Sequence, residues 1–107
     1  MALITQQTKV DDALVVALRK LAKQQGVTLQ ALYADAVETF LRDRPKTPAV
    51  LYLASPRSAG NYNLKLPVPL VRRAITLASK DSTSARRLYY TALVRYAQAH
   101  GLLPAHL

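Results

Sequence analysis

Asn61-Tyr62-Asn63-Leu64-Lys65-Leu66-Pro67 alternates without a break. Successive side chains of a strand point to opposite faces, so Asn61, Asn63 and Lys65 share one face and Tyr62, Leu64 and Leu66 the other. The spacing predicts a half-buried strand whose open face carries two carboxamides and an ammonium. Asn offers a donor and an acceptor on one group and Lys a charge, a set able to read base edges in a major groove. An ordinary solvated strand would carry the same letters, so the remaining chain has to decide between the two. Pro67 stops the strand and is expected to open a helix, since its missing N–H is not needed in a first turn.

Length and composition narrow the choice. The 107 residues, half of them apolar, suffice for one domain with a modest core. With no cysteine there is neither a disulfide framework nor a thiolate metal site or nucleophile. The opening Met-Ala-Leu-Ile-Thr-Gln-Gln lacks the pattern of a signal peptide, and no apolar run exceeds six residues (13–18 and 49–54), far short of a membrane span. A soluble cytoplasmic protein is the expectation. Fifteen Lys and Arg against six Asp and Glu give +9 and a pI near 10.3, which points to a polyanionic partner. The excess is uneven. Residues 1–44 carry six basic and five acidic side chains, whereas residues 60–107 carry seven basic ones and only Asp81.

Upstream, residues 3–10 read as a weaker strand with Thr5, Gln7 and Lys9 on one face and Ile4, Gln6, Thr8 and Val10 on the other. The opposite parity would turn Lys9 inward. Asp11 is a good N-cap for a helix with the stripe Leu14, Val15, Leu18, Leu21 and Ala22, which Gly26 ends. Thr28 caps a second helix whose stripe is Leu29, Leu32, Tyr33, Ala36, Val37, Phe40 and Leu41. Residues 45–60, with prolines at 45, 48 and 56, read as a linker. Its segment 49–54 is too apolar for water and is expected to pack on the core as a short turn or strand. After Pro67 the helical pattern returns as Leu70, Val71, Ala74, Leu77 and Ala78, then, after Ser84, as Leu88, Tyr89, Ala92, Leu93 and Tyr96; Gly101 and Pro104 end the fold.

The two halves superpose at an offset of 56 residues, without a gap, over roughly forty positions. Lys9 meets Lys65, Leu14-Val15 meets Leu70-Val71, and Thr28 meets Ser84. Leu32-Tyr33 meets Leu88-Tyr89, and Phe40 meets Tyr96. The chain is therefore an internal repeat of strand, helix, helix. A unit of about 45 residues is near the lower limit for a core of its own, and a lone strand leaves its backbone unpaired. Antiparallel pairing of the two strands, with four helices behind them, cures both defects. That pairing sets Gln7 opposite Asn63, Thr5 near Lys65 and Lys9 near Asn61.

Asn61–Pro67 followed by two helices resembles the ribbon-helix-helix DNA-binding proteins of the Arc and MetJ type. Leu14–Gly26 (Leu-Val-Val-Ala-Leu-Arg-Lys-Leu-Ala-Lys-Gln-Gln-Gly) with Val27-Thr28 is similar to that family's first helix and turn. Two such units in one chain resemble the tandem, single-chain members among plasmid conjugation accessory proteins. The resemblance implies a mainly α fold with a small two-stranded antiparallel ribbon: one domain over 1–107, made of a unit at 3–44, a linker at 45–60 and a second unit at 61–103. It implies base reading by Thr5, Gln7, Lys9, Asn61, Asn63 and Lys65. The same side-chain types suit that task independently, since Asn and Gln match adenine and Lys guanine. It further implies phosphate binding at the N-termini of the second helices, by Val27, Thr28 and Leu29 and by Thr83, Ser84 and Ala85 with Arg86 and Arg87. Ser82 stands where the family has a glycine.

The expected partner is double-stranded DNA, with relaxosome or regulatory proteins as further partners. The expected role is that of a plasmid transfer accessory factor, a transcriptional regulator, or both. One chain is the expected folding unit, with higher assembly on DNA left open. No cofactor, metal or catalytic residue is expected: His100 and His106 lack a third ligand or carboxylate partner, and neither a nucleophile–base pair nor a carboxylate dyad occurs. A ribbon-helix-helix antitoxin would carry a longer toxin-binding tail. A basic module for RNA or an acidic partner would leave the alternating polar strand without a purpose.

Overall fold

The structure is a computed structural model that describes residues 2–47 and 50–102; the readings of Pro48, Ala49, Leu103, Pro104 and His106 lie outside them. It is mainly helical with one two-stranded sheet. In order the elements are β1 (Leu3–Val10), α1 (Asp12–Gln25), α2 (Leu29–Asp43), a 3-10 turn (Arg44–Lys46), β2 (Gly60–Pro67), α3 (Val68–Lys80) and α4 (Ala85–Ala99). Strand, helix, helix thus occurs twice.

The strands run antiparallel along their whole length, with Gln7 opposite Asn63, Thr5 opposite Lys65 and Lys9 opposite Asn61. Inward, Thr8, Val10, Leu64 and Leu66 are fully buried. Burying each of the two leucines is worth about 2 kcal/mol, and a one-residue slip would replace them with Asn and Lys, so the register is firmly set. Two inward residues of β1 are polar, and α4 satisfies both. Thr8 Oγ1 donates to the Arg86 carbonyl at 2.9 Å, and Gln6 Oε1 accepts from the Tyr89 hydroxyl at 3.1 Å. The weak inward face of β1 is therefore a polar joint rather than a defect.

The helices begin and end as the side chains dictate. Asp11 accepts from the Leu14 amide, Thr28 from Ala31 and Ser84 from Arg87, each satisfying a free N–H of a first turn. Pro67 is the last residue of β2 rather than the first of α3, and Pro69 sits in the opening turn of that helix. Gly26 closes α1 in the left-handed region at φ 69°. Ser82, its counterpart after α3, takes φ 56°, and the following amide closes the same bond in both turns: Val27 to Ala22 and Thr83 to Ala78. Serine adopts the glycine geometry there at a cost of about 1 kcal/mol or more.

The predicted stripes form a single apolar core in which α2 packs on α4. Helix α4 is buried well beyond its stripe: every residue from Leu88 to Val94 is buried. The linker is part of the reason. Val50, Tyr52 and Leu53 pack on the core, the Leu53 amide donates to buried Thr91 Oγ1 at 2.9 Å, and the Ser55 hydroxyl donates to the Lys9 carbonyl. Tyr52 sets its ring edge-on to Phe40 with centroids 5.9 Å apart and donates to Asp81. Asp81 also holds Arg44 through two bonds, at 2.8 and 3.3 Å, tying the end of α2 to the α3–α4 turn. The segment packs on the core as expected but without forming a strand, and Leu51 within it stays 75% exposed.

Candidate nucleic-acid interface

Thr5, Gln7, Lys9, Asn61, Asn63 and Lys65 are all exposed and lie on the outer face of the ribbon. The structure brings the six together as three cross-strand pairs. Their backbone groups point away from the partner strand, as Gln30 makes plain: its Oε1 accepts from the Lys65 amide at 2.8 Å and its Nε2 donates to the Asn63 carbonyl at 3.4 Å. Pairs of this kind are those in which the two strands' side chains stand closest, so each opposed pair forms one compact unit. At the centre the contact is direct: Gln7 Nε2 donates to Asn63 Oδ1 at 3.2 Å.

The outer edges of a two-stranded ribbon are open to pairing with other chains. Here both are engaged. Gln30, from the first turn of α2, clamps the edge of β2, and Ser55 holds the edge of β1 at Lys9. Sequence reading missed Gln30. The repeat could have drawn attention to it, because at the 56-residue offset it matches Arg86, also in the first turn of its helix.

The helix N-termini flank the ribbon crosswise. The start of α2 stands against β2 through Gln30, and the start of α4 against β1 through Arg86 and Thr8. Val27, Thr28 and Leu29 therefore sit at one side of the ribbon and Thr83, Ser84, Ala85, Arg86 and Arg87 at the other. The hydroxyls of Thr28 and Ser84 are used in capping, which leaves the opening amides of each helix and its dipole to act on an anion. Arg86 and Arg87 are exposed, and among the described residues neither guanidinium has an ion-pair partner; Lys9 and Lys65 are likewise unpaired. The matching positions on α2 are Gln30 and Ala31, so of the two helix starts only that of α4 carries arginines.

Acidic groups near the strands are turned to other tasks. Asp11 caps α1 and accepts from the Tyr90 hydroxyl at 3.1 Å, and Asp12 accepts from Tyr62 at 3.2 Å. Tyr90, off the α4 stripe, is buried by this contact rather than free to stack on a base. A concavity of about 650 Å³ lies elsewhere, between the C-terminal halves of α2 and α4, lined by Phe40, Arg44, Arg95, Tyr96 and His100 among others. Among the described residues no cluster of three His, Cys, Asp or Glu side chains could hold a metal ion, and no helix is long and apolar enough to cross a membrane. Comparison with protein-family models, curated proteins and solved structures found no match to this chain.

Proposed function

We propose that the chain is two fused ribbon-helix-helix units acting as one pseudo-dimer, which binds double-stranded DNA sequence-specifically by inserting its ribbon into the major groove. The observation that carries this reading is the register: six exposed donors, acceptors and cations share one face of a short ribbon whose other face is locked to the core. The major groove, about 12 Å wide, admits a two-stranded ribbon, and Asn, Gln and Lys are side chains that discriminate bases there. Lys9 and Lys65 on the face, with Arg86 and Arg87 beside it, supply the sequence-independent attraction to phosphates. A plasmid transfer accessory factor or a transcriptional regulator is the role that suits a small basic reader of this type.

Selection from a random duplex library with the intact chain tests the reading. A defined motif should emerge. Asn63→Ala should weaken binding to it by about 1–3 kcal/mol with little effect on random DNA. Arg86→Ala should weaken both alike and lower the salt slope by about one contact. Failure of any motif to emerge would refute specific reading.

A further inference from the structure

The centre of the ribbon holds a feature that base reading by independent side chains does not require. Gln7 and Asn63 are directly opposed, and Gln7 Nε2 donates to Asn63 Oδ1. A carboxamide carries two N–H donors and an oxygen with two lone pairs. The bond occupies one N–H of Gln7 and one lone pair of Asn63, and it fixes the rotation of the Asn63 amide. Oδ1 is drawn toward β1 and Nδ2 is directed away from it. Among the described residues both donors of Nδ2 and the second lone pair of Oδ1 stay free for a ligand. In this pair Gln7 supplies the donor and Asn63 the acceptor.

Resting on the DNA-reading role proposed above, we infer that Gln7 is a positioning residue for Asn63, and that the two amides read one central base pair as a single oriented unit. An oriented carboxamide with both a donor and an acceptor free matches adenine, which presents N6–H and N7 on its major-groove edge. Among the described residues no side-chain hydrogen bond joins the flanking pairs, Thr5 with Lys65 and Lys9 with Asn61, so on this proposal they read separately.

The test is selection from a random duplex library by the full chain and by Gln7→Ala, Gln7→Glu, Asn63→Ala and the Gln7→Ala/Asn63→Ala double variant. Both positions are exposed, and melting curves confirm that each variant is folded. Gln7→Ala and Asn63→Ala should each relax the same central A·T pair, by about tenfold or more, and the double variant should relax it no further than Asn63→Ala. Gln7→Glu keeps the shape but removes the donor. Asn63 must then turn Nδ2 inward, and the adenine preference should fall at that position alone. The added charge weakens binding to every sequence equally and leaves base preference as a clean readout. Relaxation of two different positions with multiplicative losses would overturn the coupled pair while leaving specific DNA reading intact. Absence of a motif for the unaltered chain would overturn both.

Discussion

Tyr33 and Tyr89 occupy matching positions in the two halves, and both are almost completely buried. Only one is satisfied. The Tyr89 hydroxyl donates to Gln6, but the position matching Gln6 in the other half is Tyr62, which is engaged with Asp12, and the Tyr33 hydroxyl has no partner among the described residues. An unpaired buried hydroxyl costs about 1–3 kcal/mol, whereas a made hydrogen bond contributes about 1 kcal/mol. Removing each hydroxyl should therefore act with opposite sign. Tyr33→Phe should stabilise by about 1 kcal/mol once a small loss of packing is set against relief of the unpaired group. Tyr89→Phe should destabilise by about 1 kcal/mol. Urea denaturation resolves such differences as shifts of the midpoint at constant slope. Equal destabilisation by the two substitutions would refute the claim that the halves satisfy their tyrosines differently.

Ser82→Gly should stabilise by roughly 0.5–1 kcal/mol, because relief of the left-handed serine exceeds the entropy that glycine adds to the unfolded chain, as thermal melting can show. Burial pushes the Tyr52, Tyr89 and Tyr90 hydroxyls up to about 12, and Tyr33 and Tyr96 are raised for the same leading reason. A raised folded pKa gives stability that is complete below pH 10 and is lost as pH rises toward about 12, so alkaline unfolding should coincide with tyrosinate absorbance. The Arg44 bond first, then that of Tyr52, holds Asp81 below its ordinary value of 3.8; its contribution is present above that pH and lost below it, and Asp81→Asn should flatten the acid limb. Because Arg86 and Arg87 stand against β1 while Gln30 stands against β2, the chain should bind a non-palindromic site in one orientation, its stronger phosphate grip beside β1. A cleavage reagent attached near Arg87 should then cut at one end of the selected site, and equal cutting at both ends would contradict this.

Much of the architecture is legible in the letters. Period-two alternation in two stretches, stripes at helical spacing and the caps at Asp11, Thr28 and Ser84 mark both strands and all four α-helices; the 3-10 turn at Arg44–Lys46 falls in what reads as helix end and linker. The 56-residue repeat set the strand pairing, which the structure reproduces residue for residue. The repeat also explains Ser82, since the turn geometry follows the matching Gly26. What the letters hide are contacts that break the repeat. Tyr52, Leu53 and Ser55 lie in an aperiodic stretch, and their partners Asp81, Thr91 and the Lys9 carbonyl are distant in sequence. Gln30 begins a helix and looks like a solvated polar residue until β2 is laid beside it. The side on which the basic α4 terminus falls is hidden for the same reason: the charge belongs to the second half of the chain, but the crossed packing carries it to β1, a strand of the first half.

The central claim, that the outer face of the ribbon meets DNA bases, is tested most directly by NMR titration of the intact chain with a duplex carrying the selected motif. The amides and the Asn and Gln side-chain resonances of 5–9 and 61–65 should shift most, with the first turns of α2 and α4 next and the outer faces of α1 and α3 nearly unmoved. Shifts confined to α1, α3 or the concavity between α2 and α4, with the ribbon unchanged, would contradict it.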